Sequence, residues 1–133
     1  TDAAATRAGI LAALDALVAA TRPNDVVVFH FAGHGSQMTD REDDEASGMD
    51  NTLIPVDSGR DWRAQGGASH ENRDITDDEL ALRLDALADR TPHVTLIVDA
   101  CPSGTITRDV GGDFGGRSRG VEPDRRPAAE LPP

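Results

Sequence analysis

The sequence has little of what marks secreted, membrane and nucleic-acid-binding proteins. It contains one cysteine, so it cannot form an internal disulfide, and nothing indicates an oxidising compartment. No apolar run approaches the roughly 18 residues of a membrane span, and no signal peptide opens the chain. These absences predict a soluble, cytoplasmic protein without a membrane partner.

Positive charge is also scarce. The chain has 13 Lys and Arg residues against 24 Asp and Glu residues, which gives a formal net charge of -11. The isoelectric point is about 4.5. Nucleic acids bind basic surfaces, so no nucleic-acid partner is expected. An excess of carboxylates instead favours cationic partners, which are basic peptides or hard metal ions.

The 133 residues are enough for one domain with a real core. Two runs of apolar β-formers, Val26–Phe31 and Val94–Val98, lack polar alternation, which predicts strands covered on both faces. Helical spacing of apolar residues predicts a helix over 3–20 and another that ends near Asp89. The order helix, strand, helix, strand is typical of parallel strands in a layered α/β domain.

The second helix has a clear start at Thr76-Asp77-Asp78-Glu79. This is a capping box, in which Thr76 caps the helix and Glu79 reaches back to the capping residue. The two aspartates between them lie at the positive end of the helix dipole.

The other segments are expected to lie outside the core. Residues 38–51 are an acidic stretch and predict a loop, and residues 57–75 predict a second loop. Thr52–Val56 predicts a short edge strand, because its proline excludes a central place in a sheet. Gly, Pro and charge dominate 111–133, which predicts a disordered linker or tail after a domain over 1–110.

His34 and Cys101 are the strongest candidates for chemistry. Each follows the end of a predicted buried strand, and in an open α/β sheet chemistry gathers at the carboxyl ends of strands. A thiolate is a nucleophile, and a nearby imidazole lowers the thiol pKa and protonates the leaving amine. Gly35 has no Cβ, so its N–H and that of Cys101 can together form an oxyanion hole. The alternative is a buried structural cysteine and a histidine that is merely hydrogen-bonded.

Asp99 lies two residues before the cysteine. Residues two apart on a strand point the same way, so Asp99 and Cys101 can share one wall of a cleft. The alternative role for Asp99 is that of a polar cap at the strand end.

Four stretches resemble the motifs of one family. F-H-F-A-G-H-G-S-Q, at 29–37, resembles the histidine motif of metacaspases and their prokaryotic relatives, the caspase-like clan of cysteine peptidases. D-A-C-P-S-G, at 99–104, resembles their cysteine motif, usually D-x-C-H-S-G. Between them, G-M-D-N-T-L-I-P-V-D and I-T-D-D-E-L match intermediate signatures in type and order. The resemblance covers roughly residues 5–110.

The resemblance implies roles for particular residues. His34 would be the general acid/base, Cys101 the nucleophile and Gly35 an oxyanion donor. Asp99 would be the acidic floor of an S1 pocket that selects Arg or Lys, since a carboxylate pairs bidentately with a guanidinium. The expected activity is that of a cysteine endopeptidase acting through a thioester, with protein or peptide substrates.

The resemblance also implies a calcium site, because some metacaspases bind activating calcium. Asp77 and Asp78 match such positions, with Asp50 and Asp109 completing the set. Carboxylates from several loops suit the irregular oxygen shell of calcium. The alternative is that helix capping already accounts for Asp77 and Asp78. No other cofactor is implied.

The sequence also departs from the family pattern. Pro102 replaces the usual histidine after the cysteine. The expected fold is a caspase-like one, a mainly parallel sheet flanked by helices, lacking the first strand and the small-subunit region. These departures leave two alternatives to the endopeptidase, which are a non-catalytic caspase-like scaffold or regulatory module and an acidic calcium-binding module.

Overall fold

The computed structural model describes residues 2–41, 45–60, 72–100, 121 and 123–131. They form two α-helices and five strands, with a short 3-10 turn near each terminus. In chain order the elements are α1 Arg7–Ala20, β1 Val27–Ala32, β2 His34–Thr39, β3 Met49–Ile54, β4 Ile75–Thr76, α2 Asp77–Ala88 and β5 Val94–Asp99. The predicted mixed α/β class is confirmed.

Helix α1 begins where a side chain caps it. The Thr6 hydroxyl accepts a hydrogen bond from the Gly9 N–H at 3.0 Å, which fixes the helix start at Arg7 rather than at residue 3. Leu14 is the fully buried residue of this helix. The chain then turns at Asn24, whose φ of 70° is a left-handed conformation that asparagine tolerates.

Strands β1 and β5 pair in parallel, from Val27 opposite Val94 to Ala32 opposite Asp99. The predicted parallel pairing of the two apolar strands is therefore confirmed. Helix α2, which contacts α1, β3, β4 and β5, provides the layer that packs against one side of this pair.

The expectation that these strands are covered on both faces is wrong. Burial alternates along β1, with Val27 buried and Val28 55 % exposed. Ile97, which shares the face of Val28, is 47 % exposed. Within the described parts of the chain this face of the β1–β5 pair is therefore uncovered, because α2 packs against the opposite face.

The sequence did not predict the second sheet, an antiparallel one in the order β2-β3-β4. Strand β2 pairs with β3 from His34 opposite Ile54 to Thr39 opposite Met49. The predicted loop over 38–51 and the predicted edge strand are thus both corrected. Pro55 lies just after β3 rather than within it, so β3 can occupy the middle of the sheet.

Helix α2 confirms the predicted capping box and ends with Asp89 as its C-cap. The Thr76 hydroxyl accepts from the Glu79 N–H, and the Glu79 carboxylate accepts from the Thr76 N–H, each at 3.3 Å. Leu80 and Leu87 are buried on the face toward the sheets. Neither this helix nor any other in the described ranges is long and apolar enough to cross a bilayer.

Part of the predicted disordered tail is ordered. Val121 and residues 123–131 are here named the strap. Its first part pairs with β2 through Val121 and Asp124, and Met38 forms a parallel bridge with Asp124. Val121, Asp124 and Leu131 are buried. Composition did not show this, because the strap has few apolar residues and is also held by backbone pairing and a buried charge. Residues 111–120 lie outside the described residues.

Candidate active site

The candidate site lies where β1 and β5 end side by side. Ala32 is opposite Asp99, and the Gly33 N–H donates to the Asp99 carbonyl oxygen at 3.1 Å. His34 follows two residues after Ala32, and Cys101 follows two residues after Asp99. Cys101 itself lies outside the described residues, so the dyad with His34 stays a prediction.

His34 is the first residue of β2 and is exposed. The chain passes from one sheet to the other through the single residue Gly33. A Cβ on Gly33 would lie 2.9 Å from Cζ of Phe31, so a side chain there would displace the ring. This close approach explains why glycine precedes the histidine.

Gly35 is buried in β2, and its carbonyl oxygen accepts from the Val121 N–H at 2.9 Å. The N–H and C=O of a strand residue point to the same side, so the Gly35 N–H faces away from β3. The predicted oxyanion donor is therefore outside the β2–β3 ladder, as donation to a substrate oxygen requires.

Asp99 ends β5 and is exposed. Its register with Ala32 places it on the same face as Ile97, the uncovered face of the sheet. Asp99 thus lies at the end of the strand that leads to Cys101, and its role as the S1 acid stays a prediction.

A cavity of about 120 Å³ lies between β2, β3, α2 and the end of β5. Gly35 of β2 and Ala100, which follows β5 and precedes Cys101, both line this cavity. Its lining is Gly35, Asn51, Thr52, Leu53, Asp77, Leu80, Val98 and Ala100. The predicted oxyanion donor and the residue before Cys101 therefore line the same small cavity.

Three of the four predicted calcium ligands lie together. Asp50 is fully buried on β3, and Asp77 and Asp78 are in the first turn of α2. One carboxylate oxygen from each lies within 4.8 Å of the others. Two ligands on opposite sides of a calcium ion lie about 5 Å apart, so this spacing fits one ion. Asp109 lies outside the described residues.

Sequence reasoning missed a buried charge cluster beside β2. The Arg60 side chain lies between two aspartates, with Nε 3.8 Å from Asp74 Oδ2 and Nη1 3.5 Å from Asp124 Oδ2. All three side chains are inaccessible to solvent. Arg126 closes the cluster, with Nη2 2.6 Å from Asp124 Oδ2. No sequence signal was available, because residues 60, 74 and 124 lie in polar stretches predicted as loop or tail.

The two aspartates of this cluster ionise differently. Burial raises the pKa of Asp74, and the Arg60 charge and the Ser58 hydroxyl offset only part of that effect. Burial also works against ionisation of Asp124, but hydrogen bonds from Arg126 and Asn72 outweigh it and lower the pKa of that carboxyl. Asp124 is therefore the more acidic of the two carboxyls in this cluster.

Comparisons with known proteins agree with these motifs. The family model described as "Metacaspase, peptidase C14 domain" matches residues 1–109. The chain is 36 % identical over 101 residues to Metacaspase-1 of Kluyveromyces lactis, which covers 76 % of this chain and 21 % of that protein. It is 38 % identical over 101 residues to Metacaspase-2 of Arabidopsis thaliana, covering 76 % of this chain and 22 % of that protein.

A solved structure is also similar to this chain. The crystal structure of protein GSU0716 from Geobacter sulfurreducens matches with a TM-score of 0.56 at 26 % identity, over 98 % of this chain and 41 % of that one. The chain spans about a fifth of the length of the curated relatives it matches. The family model covers most of the residues, with the histidine and cysteine motifs in its range, and the chain belongs to the metacaspase peptidase C14 family.

Proposed function

We propose that this chain carries the catalytic residues of a cysteine endopeptidase that cleaves after Arg or Lys. Cys101 is the nucleophile and His34 the general acid/base. Gly35 and Cys101 provide the oxyanion N–H groups, and Asp99 binds the basic side chain of the substrate. The protein or peptide substrate therefore carries a basic P1 residue.

The parallel pairing of β1 with β5 is the observation that carries this proposal. Adjacent parallel strands lie about 4.8 Å apart. Ala32 and Asp99 are paired at the same edge of the sheet, and His34 and Cys101 each follow two residues later in the sequence. A nucleophile and its base need to come within hydrogen-bond reach, and this register supports that approach.

The reaction follows from the groups at this edge. The Cys101 thiolate attacks the substrate carbonyl carbon, and the N–H groups of Gly35 and Cys101 stabilise the negative charge on the oxygen. Protonated His34 then gives its proton to the leaving amine as the peptide bond breaks, leaving a thioester. His34 next takes a proton from water, whose attack releases the acid and restores the thiolate.

Calcium is proposed as an activating ion at the Asp50, Asp77 and Asp78 carboxylates. The support is their mutual spacing within 4.8 Å and the full burial of Asp50, which lies on a strand instead of in a helix cap. When bound, the ion would supply positive charge that offsets repulsion among the three carboxylates. Asn51 holds one member in place, donating from Nδ2 to Asp77 Oδ2 at 3.2 Å.

The decisive experiment is hydrolysis of fluorogenic peptides ending in Arg, Lys or Asp under reducing conditions. We expect cleavage after Arg and Lys, complete loss of it in Cys101→Ala, and a strong decrease for Asp99→Asn with basic peptides. Activity that survives Cys101→Ala contradicts the proposal. A circular-dichroism melt of the same samples shows whether a silent chain is folded.

Thiol alkylation separates the peptidase from the scaffold alternative. An activated Cys101 reacts with iodoacetamide at about pH 6, where an ordinary thiol is slow. His34→Ala should remove that reactivity, whereas His93→Ala, a change at the opposite end of the sheet, should not. A folded chain whose Cys101 is as slow as a free cysteine would favour a scaffold.

Calorimetry tests the metal site independently of activity. We expect calcium to release or absorb heat with the native chain and Asp50→Asn to weaken binding at least about tenfold, because one of three carboxylate ligands is lost. Asp85→Asn, which removes an exposed charge from the same helix as Asp77, is the matched control. If no heat is measured at millimolar calcium, the proposed calcium site is wrong.

A further inference from the structure

The strap lies along the outer edge of β2, the strand that begins at His34. Strand β3 occupies the other edge of β2, so the strap covers an edge that would otherwise be open. Three backbone hydrogen bonds attach it: Val121 N–H to Gly35 O at 2.9 Å, Asp124 N–H to Gln37 O at 2.8 Å and Thr39 N–H to Asp124 O at 3.1 Å. The first of these is made to the residue proposed as the oxyanion donor.

The buried charge cluster reinforces this attachment through side chains. Arg60 contacts Asp124 of the strap and also donates from Nη2 to the hydroxyl of Ser36 on β2. That hydroxyl donates in turn to the Val121 carbonyl oxygen at 2.8 Å. A continuous set of contacts therefore runs from Asp124 through Arg60 to Ser36, the residue that follows Gly35.

The charges on the two sides of this contact are matched. The strap contributes Asp124 and Arg126, one charge of each sign, and the body of the domain contributes Arg60 and Asp74. Removing one partner of a buried ion pair is strongly destabilising, because an uncompensated charge stays behind. The Asp124 charge thus contributes to holding the strap, in addition to the buried side chains of Val121 and Leu131.

We infer that Asp124 and Arg60 are positioning residues, which keep the strap on β2 and thereby fix His34 and Gly35. The inference rests on the proposed function, since it assigns these residues an effect on that reaction. Neither residue touches the substrate. A misplacement of about 1 Å at a catalytic group costs on the order of a hundredfold in rate, so the attachment of β2 matters for catalysis.

Amide hydrogen exchange measures the attachment directly. The Thr39 amide donates to the strap, and we expect it to exchange about tenfold faster in Asp124→Asn, because a buried charge-assisted contact is lost. Glu130→Gln removes an exposed carboxylate from the same segment and is the matched control. The double change Asp124→Asn with Arg126→Gln removes one charge of each sign and should restore part of the protection.

Positioning is tested by two further readouts. In Asp124→Asn the proton resonances of the His34 imidazole should shift while those of His93, at the far end of the sheet, stay fixed. With peptides ending in Arg, kcat should fall about tenfold and KM should change less than about twofold. Glu130→Gln should match the parent protein in both.

Each outcome decides the inference. Unchanged Thr39 exchange, or an unchanged His34 resonance in a folded variant whose strap is loosened, would overturn it. A parent chain that cleaves no peptide overturns the proposed function, while the exchange and the His34 resonance still decide whether the strap positions β2. Should Asp124→Asn unfold, Arg126→Gln removes a partner at the edge of the cluster and must move both readouts in the same direction.

Discussion

At the scale of single residues, Glu79 shows how one side chain serves two elements. Its carboxylate completes the cap of α2 and also accepts from both terminal nitrogens of Arg7 on α1, at 2.7 and 2.5 Å. Arg7 extends the connection by donating to the Asp74 carbonyl oxygen at 2.9 Å. The cap was predictable from the sequence because its partners are three residues apart. The pair with Arg7 was not, because 72 positions separate the two residues.

This geometry sets the pH dependence of stability. Burial works against ionisation of Glu79, but the Arg7 hydrogen bonds and charge outweigh it, so its pKa is lowered from the ordinary 4.5. A carboxyl with a lowered folded-state pKa stabilises the fold above its unfolded pKa and loses that effect as pH falls through the folded value. We expect Glu79→Gln to cost about 1 kcal/mol at neutral pH and almost nothing in strong acid.

Urea unfolding at neutral and acidic pH measures this difference. Asp85→Asn is the control, because it removes an exposed acid from the same helix without breaking a cap. An equal loss of stability at both pH values would show that Glu79 acts through shape instead of charge.

At the scale of elements, the sequence predicted what local patterns encode. Both helices, the capping box and the two parallel strands followed from spacing within short windows. Strand β2 was missed because His34–Thr39 contains glycine and polar residues, and its strand state comes from pairing with β3 and the strap. The strap was missed for the same reason, since Asp124 is buried by partners that are distant in sequence.

Contacts between residues distant in sequence also limited what could be predicted of the candidate active site. His34 does follow the end of β1, and the clustering of Asp50 with Asp77 and Asp78 was anticipated through the family motifs. Arg60 was not anticipated, because a single arginine in a polar stretch carries no pattern. Contacts with residues distant in sequence, and not composition, decide which polar residues are buried.

Two leucines of helix α2 allow a direct test of how much each contributes to packing against the sheets. Leu87 is fully buried, whereas Leu82 on the same helix is 70 % exposed. We expect Leu87→Ala to cost about 2–5 kcal/mol in unfolding free energy, because it leaves a cavity in the core. Leu82→Ala should change stability by less than about 0.5 kcal/mol. Comparable losses in chemical denaturation would contradict the packing of α2 against the sheets.

At the scale of the whole molecule, an exposed apolar face and the net negative charge have opposite effects on self-association. The uncovered face of the β1–β5 pair presents Val28 and Ile97, and Val26 beside it is 76 % exposed. A strand face with few polar residues is usually covered by other parts of a protein. For this reason the continuous apolar runs predicted burial of both faces. Repulsion from the net charge of -11 on the full chain opposes contact between two copies through this face.

Salt should therefore control self-association. Raising the ionic strength from about 0.01 M to about 0.15 M shortens the screening length from roughly 30 Å to roughly 8 Å, so like-charged chains can approach and bury the uncovered face. We expect light scattering to show association that grows with salt. Val28→Thr with Ile97→Thr, which keeps β-forming residues, should suppress it, whereas Leu82→Gln, at an equally open position on α2, should not. If the chain stays monomeric at every salt concentration, or if the Leu82 variant suppresses association equally, this face is not the surface through which the chains meet.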